Sequence, residues 1–283
     1  MRAPFDLQAH RGGIGLMVES TLASFGKALE VGVTTLELDL QITKDGREVI
    51  THDRKTNPAK CIGPHAGKYV KDLTFAEVRT LDCGSRRWDQ YPDQELSPGA
   101  RMPTLAELFE LVRSRQAWTI RFNIETKVEA AAPHETAPRE QFVQVAVREI
   151  RRSGFLPNVT IQSFDWGTLI RVREVEPRIP LVALTQPDFL CEPWTGGIDV
   201  GDNIARAVRS FGASALSPVH TMVTQELVDQ AHEEGLKVIP WTVDDPARMH
   251  ELIGLGIDGL ITDYPDRLRK VLAERGFSLP RRY

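Results

Sequence analysis

Strand-like apolar runs recur along this chain, and a segment with helical spacing of apolar residues follows nearly every one. Strand candidates fall at Phe5–Ala9, along the run carrying Leu36, Leu38 and Leu40, and at Trp118–Lys127, Val159–Ser163, Leu181–Leu184, Ala213–Leu216, Lys237–Thr242 and Gly259–Thr262. The spacing predicts helices at about Thr21–Val31, Arg139–Ser153, Trp166–Val175, Asn203–Ser210, Gln225–Glu234, Pro246–Leu255 and Asp266–Arg275. A further helix starts at Thr104, where Thr104 and Glu107 make a capping box ahead of Leu105, Leu108, Phe109 and Val112. Strands alternating with helices imply a parallel sheet covered on both faces. Eight such units in 283 residues predict a closed (β/α)8 TIM barrel, with functional groups at the C-terminal strand ends. An open doubly wound sheet is the alternative, and the lack of a Gly-rich phosphate loop after the first strand counts against it.

One segment breaks the rhythm. Residues 54 to about 103 hold Pro58, Gly63, Pro64, Gly67, Pro92, Pro98, Gly99 and Pro103, with one helical candidate at Thr74–Leu81. A structureless loop of that length is uncommon, so a small packed lobe inserted into a single 1–283 barrel domain is expected. With 41% apolar residues the chain can fill a sizeable core, and its net charge of −4 provides no basic field for nucleic acid or an anionic membrane. No N-terminal apolar targeting segment or bilayer-length span is present, so no stable membrane anchor is expected. Cys61, Cys83 and Cys191 lack metal-ligand spacing; they read as three free thiols of a cytoplasmic protein. Cys61 and Cys83 would pair only in an oxidising compartment.

The stretch Glu37–Asp53, ELDLQITKDGREVITHD, carries the chemistry. Side chains alternate along a strand, so Glu37 and Asp39 stand on one face and Leu36, Leu38 and Leu40 on the other. Asp45-Gly46 suits a two-residue hairpin turn; with Thr43 facing Glu48, that register puts Asp39 opposite His52. Polar groups also end the other strands: His10 and Arg11, then Asn123, Glu125 and Lys127, then Gln162, Trp241 and Thr262-Asp263. Three carboxylates on one rim, Glu37, Asp39 and Glu125, repel one another and call for a hard cation with oxygen ligands, Mg²⁺ or Ca²⁺. Arg11 and Lys127 add the positive charge that a phosphate group needs, and His10 and His52 can act as general base and general acid. Metal-assisted phosphoester cleavage of a small-molecule substrate follows from these residue types.

The motifs AHRGG (9–13), ELDLQITKDGREVITHD (37–53), NIETK (123–127), QSF (162–164), WTVDD (241–245) and GLITDYP (259–265) resemble those of the glycerophosphodiester phosphodiesterases. That family belongs to a barrel superfamily shared with phosphatidylinositol-specific phospholipases C. The resemblance implies His10 and His52 as the acid/base pair, and Glu37, Asp39 and Glu125 as metal ligands. It also implies that Arg11 and Lys127 meet the phosphate, that Trp241 walls the substrate pocket, and that an insertion follows the His52-Asp53 motif. The implied reaction is hydrolysis of a glycerophosphodiester to an alcohol and glycerol 3-phosphate. The chain departs from the family pattern at Ser20, where an Asn is usual, at Asp244, often Asn, and in RKTNPAKC after Asp53.

Plainer roles compete with some of these. Glu37 and Asp39 alone would describe a solvated hairpin face; Glu125 on another strand argues for a metal. Lys127 could simply offset Glu125, Gln162 either caps its strand or meets the substrate, and Trp241 packs as well as binds. Asp258 and Asp263 are expected to shape the last turn, and His65, His134, His220, His232 and His250 to lie on the surface. A lipid-directed (lyso)phospholipase of the same superfamily and a non-catalytic binding barrel are the alternative functions.

Overall fold

Eight parallel strands carry the fold in the computed structural model, which describes residues 4–283. They are β1 (Asp6–Ala9), β2 (Thr35–Ile42), β4 (Arg121–Thr126), β5 (Val159–Ser163), β6 (Leu181–Thr185), β7 (Ala215–Pro218), β8 (Lys237–Val238) and β9 (Gly259–Thr262). The short β3 (Glu48–Ile50) returns antiparallel against β2. The strand order runs β8-β7-β6-β5-β4-β2-β1-β9. Backbone bonds from Asp258 N to Val238 O (2.9 Å) and from Ile261 N to Pro240 O (2.9 Å) join its two ends, so the parallel sheet closes nearly completely into the expected barrel. Only two residues of the seventh parallel strand satisfy the ladder, against six expected at Lys237–Thr242. Pro218 of β7 has no N–H to give Ile239 O, which accepts from Ser217 Oγ (2.6 Å) instead, so the ladder lapses before a single bridge resumes at Trp241 opposite Val219.

The outer ring consists of α1 (Leu22–Val31), α3 (Leu105–Ser114), α4 (Arg139–Ser153), α5 (Trp166–Val175), α6 (Ile204–Ser210), α7 (Gln225–Glu233), α8 (Pro246–Gly254) and α9 (Pro265–Glu274). Thr21 with Ser24 and Thr104 with Glu107 form capping boxes at the starts of α1 and α3. Strand alternation sorts the two faces. Leu7, Leu36, Leu38, Leu40, Phe122 and Ile124 enter the core between strands and helices, while Gln8, Glu37, Asp39, Asn123 and Glu125 occupy the intervening positions. Inside the barrel Asn123 donates to the side chains of both Gln8 (2.9 Å) and Gln162 (2.8 Å). A separate cluster of Val182, Ala215, Ile239 and Ile261 comes from the opposite strands. One half of the barrel's interior is therefore a hydrogen-bonded polar column and the other is apolar.

The hairpin turn differs from the two-residue loop predicted from Asp45-Gly46. Thr43 N donates to Arg47 O (2.8 Å) and Gly46 N to Thr43 O (2.9 Å), leaving Lys44, Asp45 and Gly46 in a three-residue loop. Gly46 takes φ 74°, the left-handed residue that such a loop requires. The register is Ile42 to Glu48 and Leu40 to Ile50, one residue off the predicted pairing. Asp39 O accordingly receives the N–H of Thr51 (3.0 Å), and His52 lies beyond the end of β3. His52 reaches the rim from a loop, not by strand register.

Residues 54–103 carry the one-turn helix α2 (Phe75–Val78) and an apolar cluster of Cys61, Val70, Leu73, Val78, Leu81 and Met102 packed with Val49 of β3. Cys61 and Cys83 form a disulfide within it, which overturns the expectation of three free thiols; among the described residues only Cys191 is free. Disulfides persist in oxidising surroundings, so this pairing removes the cysteine-based ground for a cytoplasmic location. No helix among the described residues is long and apolar enough to cross a membrane. The bridge closes a sequence separation of 22 residues, and a loop of that size predicts that Cys61→Ala with Cys83→Ala lowers unfolding free energy by about 3 kcal/mol. Denaturant unfolding of oxidised wild type and the double variant measures this difference.

Candidate active site

At the C-terminal end of the barrel, β1 delivers His10 and Arg11 through a tight bend. Arg11 adopts φ 52°, ψ 32°, a left-handed conformation costly for a non-glycine residue. Gly12 follows at φ 83°, where a Cβ would lie 2.5 Å from Ser24 Oγ and 2.8 Å from the Ser24 carbonyl carbon, so the approach to α1 excludes a side chain. The bend turns the Arg11 backbone N–H onto Glu37 Oε2 (3.0 Å) and sends its guanidinium to Glu19 (2.7 Å) and towards Asp39 (3.4 Å).

Glu37, Asp39 and Glu125 come together because β2 and β4 pair with Glu37 beside Asn123 and Asp39 beside Glu125. One oxygen from each lies within 4.8 Å of the others. Lys127, just past β4, reaches Glu125 (2.7 Å) and approaches Asp39 (3.8 Å). Gln162 on β5 donates to Glu37 (2.7 Å) and is itself held by Asn123, so its amide orients a carboxylate at the edge of the cavity. Trp241 anchors its indole N–H on Ser217 O (2.9 Å) and meets Phe164 edge to face. A cavity of about 410 Å³ is lined by His10, Arg11, Glu37, His52, Glu125, Lys127, Gln162 and Trp241, with Asp39 buried beside Glu37 and Glu125. It adjoins a wider cleft of about 1460 Å³ that shares His52, Lys127 and Trp241 and adds Phe189 and Trp194. All nine predicted site residues thus belong to one rim.

The carboxylate group fits a hard divalent cation. Asp39 is only 1% exposed, yet neither of its carboxylate oxygens has a hydrogen-bond partner. An all-oxygen donor set of three acids with such orphaned atoms suits Mg²⁺ or Ca²⁺ chemistry rather than a thiolate-seeking metal. Burial and the neighbouring Asp39 push Glu37 up to about 8, and burial with Asp39, against Lys127, pushes Glu125 up to about 7. Asp39 moves the other way: against burial, His52, Lys127 and Arg11 hold it below the usual carboxylate range.

Each histidine has a carboxylate on Nδ1. His10 meets Asp263 at 2.5 Å, and His52 meets Asp53 at 2.8 Å. Their charge environments diverge. Burial and Arg11 oppose protonation of His10, but Asp263 and Glu37 prevail and its pKa is raised. Burial, Lys127 and Arg11 outweigh Asp39 and Asp53 at His52 and lower it to about 4. Asp263 does more than shape the last turn. Barrel closure puts β9 beside β1, with Ala9 in register with Thr262, so the residues that follow, His10 and Asp263, become neighbours. That signal was available from the closed topology. Lys60 and Tyr91, which hold Asp53 and Asp263, carry no comparable signal in the sequence.

Residues 10–267 match the profile of the Glycerophosphoryl diester phosphodiesterase family. The chain belongs to this family. Its relatives include a glycerophosphodiester phosphodiesterase from Caldanaerobacter subterraneus subsp. tengcongensis, 30% identical over 95% of this chain and 98% of the relative. A crystal structure from Silicibacter pomeroyi DSS-3, described under the same family name, superposes with TM-score 0.88 at 32% identity, covering 98% and 96% of the two chains. An Oleispira antarctica phosphodiesterase solved with the product sn-glycerol-3-phosphate shares the fold at TM-score 0.76 and 22% identity, covering 95% and 96%.

The raised carboxylates carry a pH dependence. A cation needs Glu37 and Glu125 ionised, and in the metal-free protein they hold protons up to about 8 and about 7. Divalent-cation binding should therefore release protons and tighten as pH rises through this range. Titration calorimetry in buffers of different ionisation enthalpy measures the release; pH-independent binding would contradict it.

Proposed function

We propose that this barrel hydrolyses glycerophosphodiesters to an alcohol and glycerol 3-phosphate, using His10 and His52 as an acid/base pair. The observation that carries the reading is the convergence of two carboxylate-backed histidines with opposite charge preferences on a rim holding three acids, Arg11 and Lys127. The family relationship supports the substrate class. Residues 1–283 act as one barrel unit in this reading, with 54–103 as its inserted lobe.

His52, its pKa lowered to about 4, is neutral near pH 7 and accepts the proton of the attacking oxygen. His10, with its pKa raised beside Asp263, donates a proton to the departing alcohol oxygen. Arg11 and Lys127 place positive charge against the phosphate oxygens as charge develops there. Gln162 keeps Glu37 in place, and Trp241 with Phe164 walls the cavity beside the wider cleft. Glu37, Asp39 and Glu125 would hold the divalent cation, Mg²⁺ or Ca²⁺. When bound, that cation supplies Lewis-acid polarisation of phosphate oxygens.

A panel of soluble glycerophosphodiesters, assayed for glycerol 3-phosphate with EDTA and metal add-back, tests substrate class and metal dependence together. Turnover should disappear with EDTA and return with the cation. His10→Ala and His52→Ala should each reduce it by about 10²–10⁴-fold while cation binding persists. Wild-type turnover by either variant would remove the acid/base assignment. Hydrolysis of micellar lysophospholipid but of no soluble diester would replace the substrate reading with the lipid-directed one.

A further inference from the structure

The carboxylates behind the two histidines are both held from outside the barrel. Asp263 accepts from the Tyr91 hydroxyl through Oδ2 while Oδ1 faces His10. Asp53 Oδ2 accepts from the Asn57 side-chain amide (3.0 Å), also in the lobe, and forms an ion pair with Lys60 Nζ at 3.0 Å, while Oδ1 faces His52. The same ammonium pairs with Glu19, the partner of the Arg11 guanidinium. Tyr91 and Lys60 both come from the 54–103 lobe and are themselves connected: Lys60 lies 4.1 Å from the ring centre of Trp88, which stacks on Tyr91 at an interplanar angle of 6°.

We propose that the inserted lobe is part of the acid/base apparatus, with Tyr91 and Lys60 as positioning residues that fix the carboxylates behind His10 and His52. The inference rests on the acid/base reading of those two histidines given above. An imidazole's tautomer and orientation are set by what its far nitrogen bonds, so a carboxylate free to rotate would orient it poorly. Here each carboxylate spends one oxygen on the lobe and one on the histidine. The lobe can bear this load because it is cross-linked within and tied to the barrel. Cys61, next to Lys60, is disulfide-bonded to Cys83. At the other end, Gln94 donates to Ile14 O (2.7 Å), and Glu95 exchanges backbone bonds with Leu16 and Val18 at 2.9 and 3.0 Å, in the loop that follows β1.

Tyr91→Phe removes one hydroxyl and keeps the ring, and Lys60→Met removes one charge at similar length. Each should lower kcat about tenfold with KM held within about twofold, as expected for a misdirected proton transfer rather than lost binding. Lys71→Met, elsewhere in the lobe, should leave both constants unchanged. Proton–nitrogen NMR of imidazole-labelled protein reads the positioning independently of turnover. Tyr91→Phe should move the His10 Nδ1 resonance and leave His52 in place, and Lys60→Met should do the reverse. Wild-type kcat in both variants, or the two histidine signals moving together in either one, would overturn the proposal. Because the NMR readout needs no substrate, it separates failure of this inference from failure of the proposed reaction.

Discussion

Mutual repulsion among Glu37, Asp39 and Glu125 is the constraint around which the rim is arranged. Two unit charges 4 Å apart at an effective dielectric near 20 repel by about 4 kcal/mol, and three such acids share this base. The protein answers in three ways. Arg11 and Lys127 press against Asp39, Gln162 and the Arg11 N–H bind Glu37, and Glu37 and Glu125 retain protons until pH rises. What remains is the unmatched pair of Asp39 oxygens. A divalent cation, as proposed for this site, would satisfy that residue of charge directly.

The same electrostatics separates the histidines. Burial and Arg11 work against protonation at both histidines; Lys127 adds to them at His52, whereas Asp263 and Glu37 outweigh them at His10. Two chemically identical side chains at one rim thereby acquire different proton affinities without any difference in sequence context that marks one as acid and the other as base. In the proposed reaction, the assignment of acid and base would follow from where the counter-charges stand.

Much of this was legible because strand periodicity is strict. Alternation alone placed Glu37 and Asp39 together and separated them from Leu36, Leu38 and Leu40, and the βα rhythm then called for a barrel that brings Glu125 alongside. Several element bounds, including α4, α5, β5 and β9, coincide with their apolar spacing. The turn at Asp45-Gly46 was harder, since Asp-Gly serves both two- and three-residue hairpin loops and the choice rests on how Thr43 and Arg47 pair. The disulfide lay beyond composition because an odd cysteine count gives no pairing rule. Lys60 and Tyr91 were invisible for a different reason: they act across long sequence distances, Tyr91 reaching Asp263 from 172 positions away, and no local pattern encodes such a contact.

The hairpin itself turns chain length into a measuring device. Between Asp39 and His52 the backbone has no slack: β2 is paired to its end at Ile42, the loop closes on Thr43 and Arg47, and β3 releases the chain two residues before His52. Within the loop Gly46 holds the left-handed position and Asp45 accepts from Thr43 Oγ1 (2.7 Å) and Phe75 N (2.9 Å), which leaves Lys44 as the side chain free to vary. The number of loop residues is fixed as well, because adding or deleting one changes which residue emerges at the rim. Natural variation in this stretch should thus accumulate as substitutions, with insertions and deletions displaced to the lobe beyond Asp53, where the chain again has room.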